Sequence, residues 1–182
     1  MRNASAALLL GLLFGCAGSG WDPDVDEAAE KDEGTTAGAA ETIARFKRAD
    51  PSMKRFFDGA HGYAVFPTVG KAGLGVGGAY GEGEVYEQGK LVGTSSLTQL
   101  TIGLQLGAQG YSEIVFFADK RALSDFQGGN FELSAQASAV AVTAGASADA
   151  SYDNGVAIFT MTKGGLMYEA SVGGQKFGYT PR

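Results

Sequence analysis

The stretch TVGKAGLGVGGAYGEGEVYE, residues 68–87, decides between two fold classes. Residues from Gly73 to Gly78 match the G-x-G-x-x-G spacing of a dinucleotide-binding loop, which needs a strand before the glycines and a helix after them. Further glycines and the β-favouring Val85 and Tyr86 follow instead, and each glycine costs a helix about 1 kcal/mol. We therefore expect bent strands whose backbones approach one another closely, and no bound dinucleotide.

Alternation with a period of two continues downstream of that stretch. In SLTQLTIGLQLGAQGY, residues 96–111, apolar residues alternate with polar residues or glycine, which predicts a strand with one buried and one polar face. The residues expected on the buried face are Leu100, Ile102, Leu104, Leu106 and Ala108. SEIVFFAD, residues 112–119, predicts a short apolar strand after it.

The C-terminal part of the chain predicts further strands. FELSAQASAVAVTAGASADASY, residues 131–152, alternates and predicts another long strand, bent at Gly145. GVAIFTMTK and GLMYEASVGGQKFGY, residues 155–163 and 165–179, predict a closing hairpin across the glycine pair at 164 and 165.

Helical spacing occurs in two places. AAETIARFKRADPSMKRFFDGAHG, residues 39–62, predicts two helices, the second with Asp50 as N-cap and Pro51 at its first position. DKRALSDFQGG, residues 119–129, predicts a short internal helix that ends at glycine. The predicted fold class is α+β, mainly β: a curved antiparallel sheet or barrel-like single domain with short N-terminal helices and one internal helix.

The two N-terminal helices carry a group of bases. These are Arg45, Lys47, Arg48, Lys54 and Arg55. The apolar residues of the same helices are Phe46, Met53, Phe56 and Phe57. One interpretation is an amphipathic basic surface that lies on anionic lipid. The other, which the pattern alone favours, is that the apolar residues pack onto the sheet and the bases form its solvated face.

Two lysines lie in similar glycine-rich segments. Lys71 in FPTVGKAGL and Lys163 in FTMTKGGL are each followed by a glycine and a leucine. Ammonium groups beside exposed backbone N–H donors can bind a phosphate. Two structurally equivalent turns in a repeated sheet would give the same pattern, so both interpretations stay open.

The N-terminus predicts an export signal. MRNASAALLLGLLFGCAGSG has a charged start and an apolar run that is too short to span a bilayer. Its only cysteine, Cys16, lies where a bacterial lipobox needs the thiol that receives the lipid. We expect a signal peptide over residues 1–15, a lipid anchor at Cys16 and, because Ala17 follows, an outer-membrane location facing the periplasm.

Acidic residues follow the predicted anchor. Seven acids against one lysine between Asp22 and Glu33 predict a solvated tether over residues 16–36, and no calcium-loop spacing supports a metal site there. The remaining residues, 37–182, form the predicted domain. The formal net charge of the whole chain is −6, and we expect neither a nucleic-acid partner nor a cofactor.

Four blocks of this domain resemble the SYLF domain, a lipid-binding and actin-regulator family. They are GYAVFPTVGKAGLGVGGAYGEGEVYE, SLTQLTIGLQLGAQGYSEIVFF, NFELSAQASAVAVTAGASA and AIFTMTKGGLMYEASVGGQKFGY. The resemblance runs from about residue 37 to residue 179. It implies binding of phosphoinositides or other anionic phospholipids, with the basic helices and Lys71, Lys163 and Lys176 as lipid contacts. It also implies actin association in eukaryotic members, which we do not expect in a bacterial envelope.

Catalytic residue patterns are scarce. His61 is the only histidine, and neither a G-x-S-x-G nor a Walker motif occurs. Glu82 and Glu84, two apart on a predicted strand, can face one side, but exposed hairpin acids usually serve solubility. The sequence therefore predicts a phospholipid-binding protein that is not an enzyme, and the alternative is an envelope scaffold that binds another protein along its sheet edges.

Overall fold

A computed structural model describes residues 37–129, 131–134, 137–163 and 172–182, with the backbone alone at residues 74–75 and 101–109. Helix α1 covers residues 37–49. A 3-10 turn, Pro51–Met53, then leads into helix α2, Lys54–Gly59. The predicted cap at Asp50 is confirmed, because Oδ1 of Asp50 accepts a hydrogen bond from the backbone N–H of Ser52 at 3.0 Å.

A long antiparallel hairpin forms the centre of the molecule. Strand β1, Gly62–Glu87, pairs along its length with strand β2, Lys90–Phe117. The connecting residues Gln88 and Gly89 have φ angles of 49° and 78°. Two successive positive φ values suit a tight hairpin turn that matches the twist of the strands. The two strands predicted over residues 96–119 are thus one continuous strand.

The hairpin bends sharply at its glycines. The register of β1 against β2 shifts between Gly73 and Gly75, and a Cβ atom on Gly73 would lie 2.3 Å from Cα of Gly77. Beyond the bend the strand crosses its own beginning, since a Cβ atom on Gly83 would lie 2.4 Å from the carbonyl oxygen of Val65. The predicted close approach of backbones is confirmed, and residues after Gly78 continue as strand instead of starting a helix.

The bend divides the hairpin into two arms. The first arm comprises residues 62–73 with 107–117, and the second arm comprises residues 75–87 with 90–103. Strand β5, Val156–Thr162, extends the first arm through β2. Strand β6, Lys176–Pro181, extends the second arm, also through β2.

Among the described residues, the remaining elements complete a six-stranded sheet. Strand β3, Phe131–Glu132, pairs with β6, and strand β4, Val140–Ala141, pairs with β5. Helix α3, Lys120–Gln127, confirms the predicted internal helix. All described strand pairs are antiparallel except β4 with β5, so the α+β, mainly β fold class is confirmed.

The long strand predicted in the C-terminal part is wrong. Residues 131–152 form only the short strands β3 and β4 among their described positions, and residues 144–149 are turns. Alanine, serine and glycine alternate there, but their small side chains bury too little area to hold a strand against the sheet. Strand β6 pairs with β2 and β3. The hairpin predicted between residues 155–163 and 165–179 stays a prediction, because residues 164–171, where its turn would lie, are outside the described residues.

Two apolar clusters stabilise this arrangement. The first lies between the arms and includes Phe66, Leu97 and Phe177. The second lies between the outer face of the first arm and the N-terminal helices, where Phe46 and Phe56 meet that arm and β5. The first arm is therefore covered on both faces.

Candidate functional site

An open groove of about 790 Å³ lies between the second arm and residues 70–72 at the end of the first arm. Its walls come from β1, β2, β3 and the residues that lead into β6. The residues that line it include Lys71, Tyr80, Gln99, Leu100, Glu132 and Lys176. The fold thus places two of the predicted lysines in one groove although they are far apart in the sequence.

The two lysines of the groove differ in environment. Lys71 is half-buried and makes no hydrogen bond or ion pair with any described residue. Burial lowers the pKa of its ammonium group, because the charged form loses hydration. Lys176 is exposed, and its Nζ lies 3.5 Å from Oε2 of Glu132. An exposed pair of this kind contributes little to stability and leaves Lys176 available to another anion.

Exposed apolar side chains lie on the second arm, and two of them, Tyr80 and Leu100, line the groove. Val76, Tyr80 and Leu100 are 67, 54 and 86 % exposed. The prediction that Leu100 lies on the buried face is therefore wrong, and the side chains of the rest of that predicted face, residues 102–108, lie outside the described set. The reason is that the side chains of Leu97 and Gln99 face the other arm and are buried. On that side Ala79 and the glycines of β1 are small enough for the two backbones to approach closely.

Lys163 directly follows strand β5 and lies beside strand β2. Its backbone N–H donates to the carbonyl of Gly110 at 2.9 Å, and Gly110 pairs with Gly70 of β1. Because adjacent strands are about 4.8 Å apart, the backbones at Lys163 and Lys71 are separated by roughly 10 Å. The Lys163 ammonium donates to Oγ1 of Thr68. Lys71 and Lys163 therefore lie close together on the sheet.

Buried hydrogen bonds fix one wall of the groove. Nε2 of Gln99 donates to the carbonyl of Gly173 at 2.9 Å. Nε2 of Gln175 lies 3.1 Å from Oε2 of Glu113 and 3.2 Å from the hydroxyl of Tyr111. Burial raises the pKa of Glu113 to about 8. Sequence reasoning missed Glu113 and Gln175; a lone acid within the apolar run SEIVFF was the available signal for Glu113.

The basic helices lie elsewhere on the molecule. Phe46, Met53 and Phe56 are buried, so the interpretation that the apolar residues pack onto the sheet is confirmed for these three. None of the five bases lines the groove. Whether they contact lipid stays a prediction.

Several of these bases have partners within the chain. A guanidinium nitrogen of Arg45 lies 3.8 Å from the Met161 sulfur. Nζ of Lys47 lies 4.3 Å from the centre of the Phe57 ring. Lys54 pairs with Asp58.

Arg55 joins helix α2 to the turns around residues 144–149. It donates to the carbonyl of Ser147 at 2.8 Å and to the carbonyl of Ala150, and it lies over the Phe56 ring. Arg48 is exposed. The bases thus divide into anchored bases, which have partners among the described residues, and solvated bases, which do not.

No described group of residues has the arrangement of a metal centre. Nε2 of His61 pairs with Oε1 of Glu87 at 2.8 Å. Glu82 is exposed and accepts a hydrogen bond from Tyr80, whereas Glu84 is buried. Within the described ranges, no three histidine, cysteine, aspartate or glutamate side chains are close enough to hold a metal ion. None of the described helices is long and apolar enough to cross a membrane.

Comparison with known proteins supports the resemblance seen in the sequence. Residues 98–179 match the family model Ysc84, described as Las17-binding protein actin regulator. Over 137 residues the chain is 29 % identical to "Beta cell expansion factor A" of Aeromonas veronii. The match covers 74 % of this chain and 52 % of that protein, so the chain spans about half the length of its curated relative.

Proposed function

We propose that this chain, whose residues 98–179 belong to the Ysc84 (SYLF) family, is a non-enzymatic module that binds anionic phospholipid. Family membership suggests a lipid-binding or actin-regulator-like role. The observation that supports the lipid role is the groove of the second arm, in which the half-buried Lys71 lacks a partner among the described residues.

A lipid phosphate suits the charge of this groove. Burial has already removed part of the hydration of the Lys71 ammonium group, and no ion pair with a described residue replaces it. Less water therefore has to leave this ammonium group when an anion binds beside it. Lys176 adds a second charge, which Glu132 partly offsets. Lys163 is close by on the next strand row. Ammonium groups act as point charges for phosphate and impose no fixed geometry, so the groove favours anionic head groups as a class.

The basic helices provide a second, weaker contact. Arg48 is exposed and can approach an anionic surface, where a free base is worth about 1 kcal/mol. Lys47 and Lys54 are also exposed, but Lys47 lies over the Phe57 ring and Asp58 partly offsets the charge of Lys54. Arg45 and Arg55 contribute less, because their guanidinium groups already have partners within the chain.

The N-terminal segment would hold the module at a membrane. In this proposal the signal peptide of residues 1–15 is removed, Cys16 carries the lipid, and residues 16–36 form the acidic tether of a bacterial outer-membrane lipoprotein that faces the periplasm. These residues lie outside the described part of the chain, and the sequence pattern alone supports this step.

Co-sedimentation with vesicles tests the role of the groove. Lys71→Ala and Lys176→Ala together should weaken binding to vesicles that contain phosphatidylglycerol and should leave the thermal midpoint unchanged. The matched control is Lys90→Ala with Lys120→Ala, which removes the same charge from exposed positions outside the groove. If both double variants lost the same amount of vesicle binding, binding would depend only on the net charge of the protein and not on the groove.

The second candidate is an envelope scaffold that binds a protein. The exposed Leu100 and Val76 favour it, since apolar surface of this kind also marks protein interfaces. Vesicle binding that fails at every composition, with salt-insensitive capture of one protein partner by the groove, would favour the scaffold.

A further inference from the structure

We infer that Val76, Tyr80 and Leu100 form an insertion face, which enters the outer hydrocarbon of the bilayer when the groove binds lipid. The inference rests on the proposed phospholipid binding and adds how the protein contacts the membrane. The second arm of the hairpin, not the pair of basic helices, enters the bilayer most deeply.

The exposed large apolar side chains of the described residues are concentrated on the second arm. Every large hydrophobic side chain that the described part of the chain exposes belongs to this set of three. Gly78 pairs with Leu100 across the hairpin, and Tyr80 pairs with Thr98. Because strand residues two apart share a face, Val76, Gly78 and Tyr80 lie on the same side of β1.

The neighbouring charges point to a membrane as the occupant. Lys71 and Lys176 line the same groove as Tyr80 and Leu100. Lysine stems lie along apolar surface while the ammonium groups reach the head-group level, which is the arrangement expected at the edge of an inserted face. Charge complementarity therefore favours an anionic lipid surface over a neutral apolar partner.

Tyr80 limits the depth of insertion. Its hydroxyl donates to Oε1 of the exposed Glu82 at 2.7 Å. Removing that carboxylate from water is costly, so the ring enters only as far as the interface, where tyrosine is commonly found. Val76 and Leu100 have no such polar attachment and lie deeper in this arrangement.

The basic helices cannot supply an equivalent face without unpacking. Phe46 and Phe56 are buried in the cluster against the first arm. Phe57 is half-buried and makes an edge-to-face contact with Phe116, with ring centres 4.9 Å apart. Presenting these rings to lipid would open the second apolar cluster, whereas Leu100 is already exposed.

Tryptophan fluorescence tests this inference in the full chain. Trp21 is the only tryptophan, so Trp21→Phe gives a silent background. Into it we would place Leu100→Trp or, as a matched control on an exposed position of the same strand outside the groove, Thr94→Trp. The vesicles contain phosphatidylglycerol with brominated acyl chains. We expect Leu100→Trp emission to shift to shorter wavelength and to be quenched, and Thr94→Trp emission to do neither.

A second variant gives the energetic test. Val76→Ser with Leu100→Ser should bind the same vesicles at least about tenfold more weakly, because two apolar side chains no longer leave water. If the background protein binds the vesicles and Leu100→Trp emission is unchanged, the insertion face is refuted and the proposed function stands. If the background protein binds no anionic vesicle, both fail.

Discussion

Gln175 and Glu113 are both fully buried, and Nε2 of Gln175 lies 3.1 Å from Oε2 of Glu113. The contact joins the groove wall, where Gly174 and Lys176 flank Gln175, to the first-arm part of β2. Oε1 of Glu113 has no hydrogen-bond partner among the described residues. A carboxyl group in this position resists ionisation.

Glu113 should make stability fall as pH rises. Burial raises its pKa in the folded chain to about 8 from an ordinary value of 4.5, so the folded state holds the proton that the unfolded state loses between these values. The free energy of unfolding then falls by up to about 1.4 kcal/mol per pH unit across this window. Urea denaturation at pH 5 and pH 8 should show a smaller decline for Glu113→Gln. An unchanged decline, matching the exposed control Glu132→Gln, would contradict the assignment.

Asp50 should act in the opposite direction. Burial by itself raises the pKa of Asp50, but hydrogen bonds from Ser52 and Ser147 outweigh it and hold the pKa well below the ordinary value of 3.8. Its contribution is present above about pH 4 and is lost as the pH falls below that value. Asp50→Asn should lower the free energy of unfolding at pH 7 by about 2 kcal/mol. Asp58→Asn, an exposed acid paired with Lys54, serves as the control and should change it far less.

Gly83 should tolerate no side chain. A Cβ atom there would lie 2.4 Å from the carbonyl oxygen of Val65, and backbone cannot move aside as a flexible side chain can. We expect Gly83→Ala to destabilise the fold by at least about 2 kcal/mol in thermal or urea unfolding. Gly70→Ala lies on the same strand with nothing within 4 Å and should be nearly neutral. Similar losses in both variants would show that the two arms do not pack as described.

Arg55 should be needed mainly for stability. Its guanidinium donates to the carbonyls of Ser147 and Ala150, so Arg55→Ala should cost about 1 kcal/mol of unfolding free energy. The exposed Arg48→Ala should cost little stability and should reduce vesicle binding at low salt by no more than about fivefold. The proposed division between anchored and solvated bases would be wrong if Arg48→Ala destabilised the fold and Arg55→Ala did not.

Local signals in the sequence predicted the elements that depend on neighbouring residues. The Asp50-Pro51 cap depends on a hydrogen bond two residues away, and the glycines around Gly78 exclude a helix through their own backbone cost. The lysines at 71, 163 and 176 come together as a set only from the family resemblance, and the fold places two of them in one groove and the third close by.

Non-local features could not be predicted in the same way. Alternation shows that a strand has two faces, but not which face the other arm covers, so Leu100 was placed on the wrong side. Gln175 and Glu113 are 62 residues apart and meet only because β6 crosses to the second arm while β5 extends the first. Residues 131–152 alternate like a strand. Their alanine and serine side chains are too small to stabilise that strand by packing, so turn hydrogen bonds, such as the one from the N–H of Ala148 to the carbonyl of Gly145, determine the local structure.

The most direct measurement is binding of the chain from residue 17 onward to vesicles of phosphatidylcholine with and without phosphatidylglycerol, at low salt and at 0.5 M salt. The account predicts binding only to the anionic vesicles and a marked loss in high salt, because exposed lysines are screened within about 5 Å at that ionic strength. It also predicts some binding that salt does not remove, which Val76→Ser with Leu100→Ser abolishes. Equal binding to both kinds of vesicle, or none to either, would contradict the claim that this domain recognises anionic phospholipid.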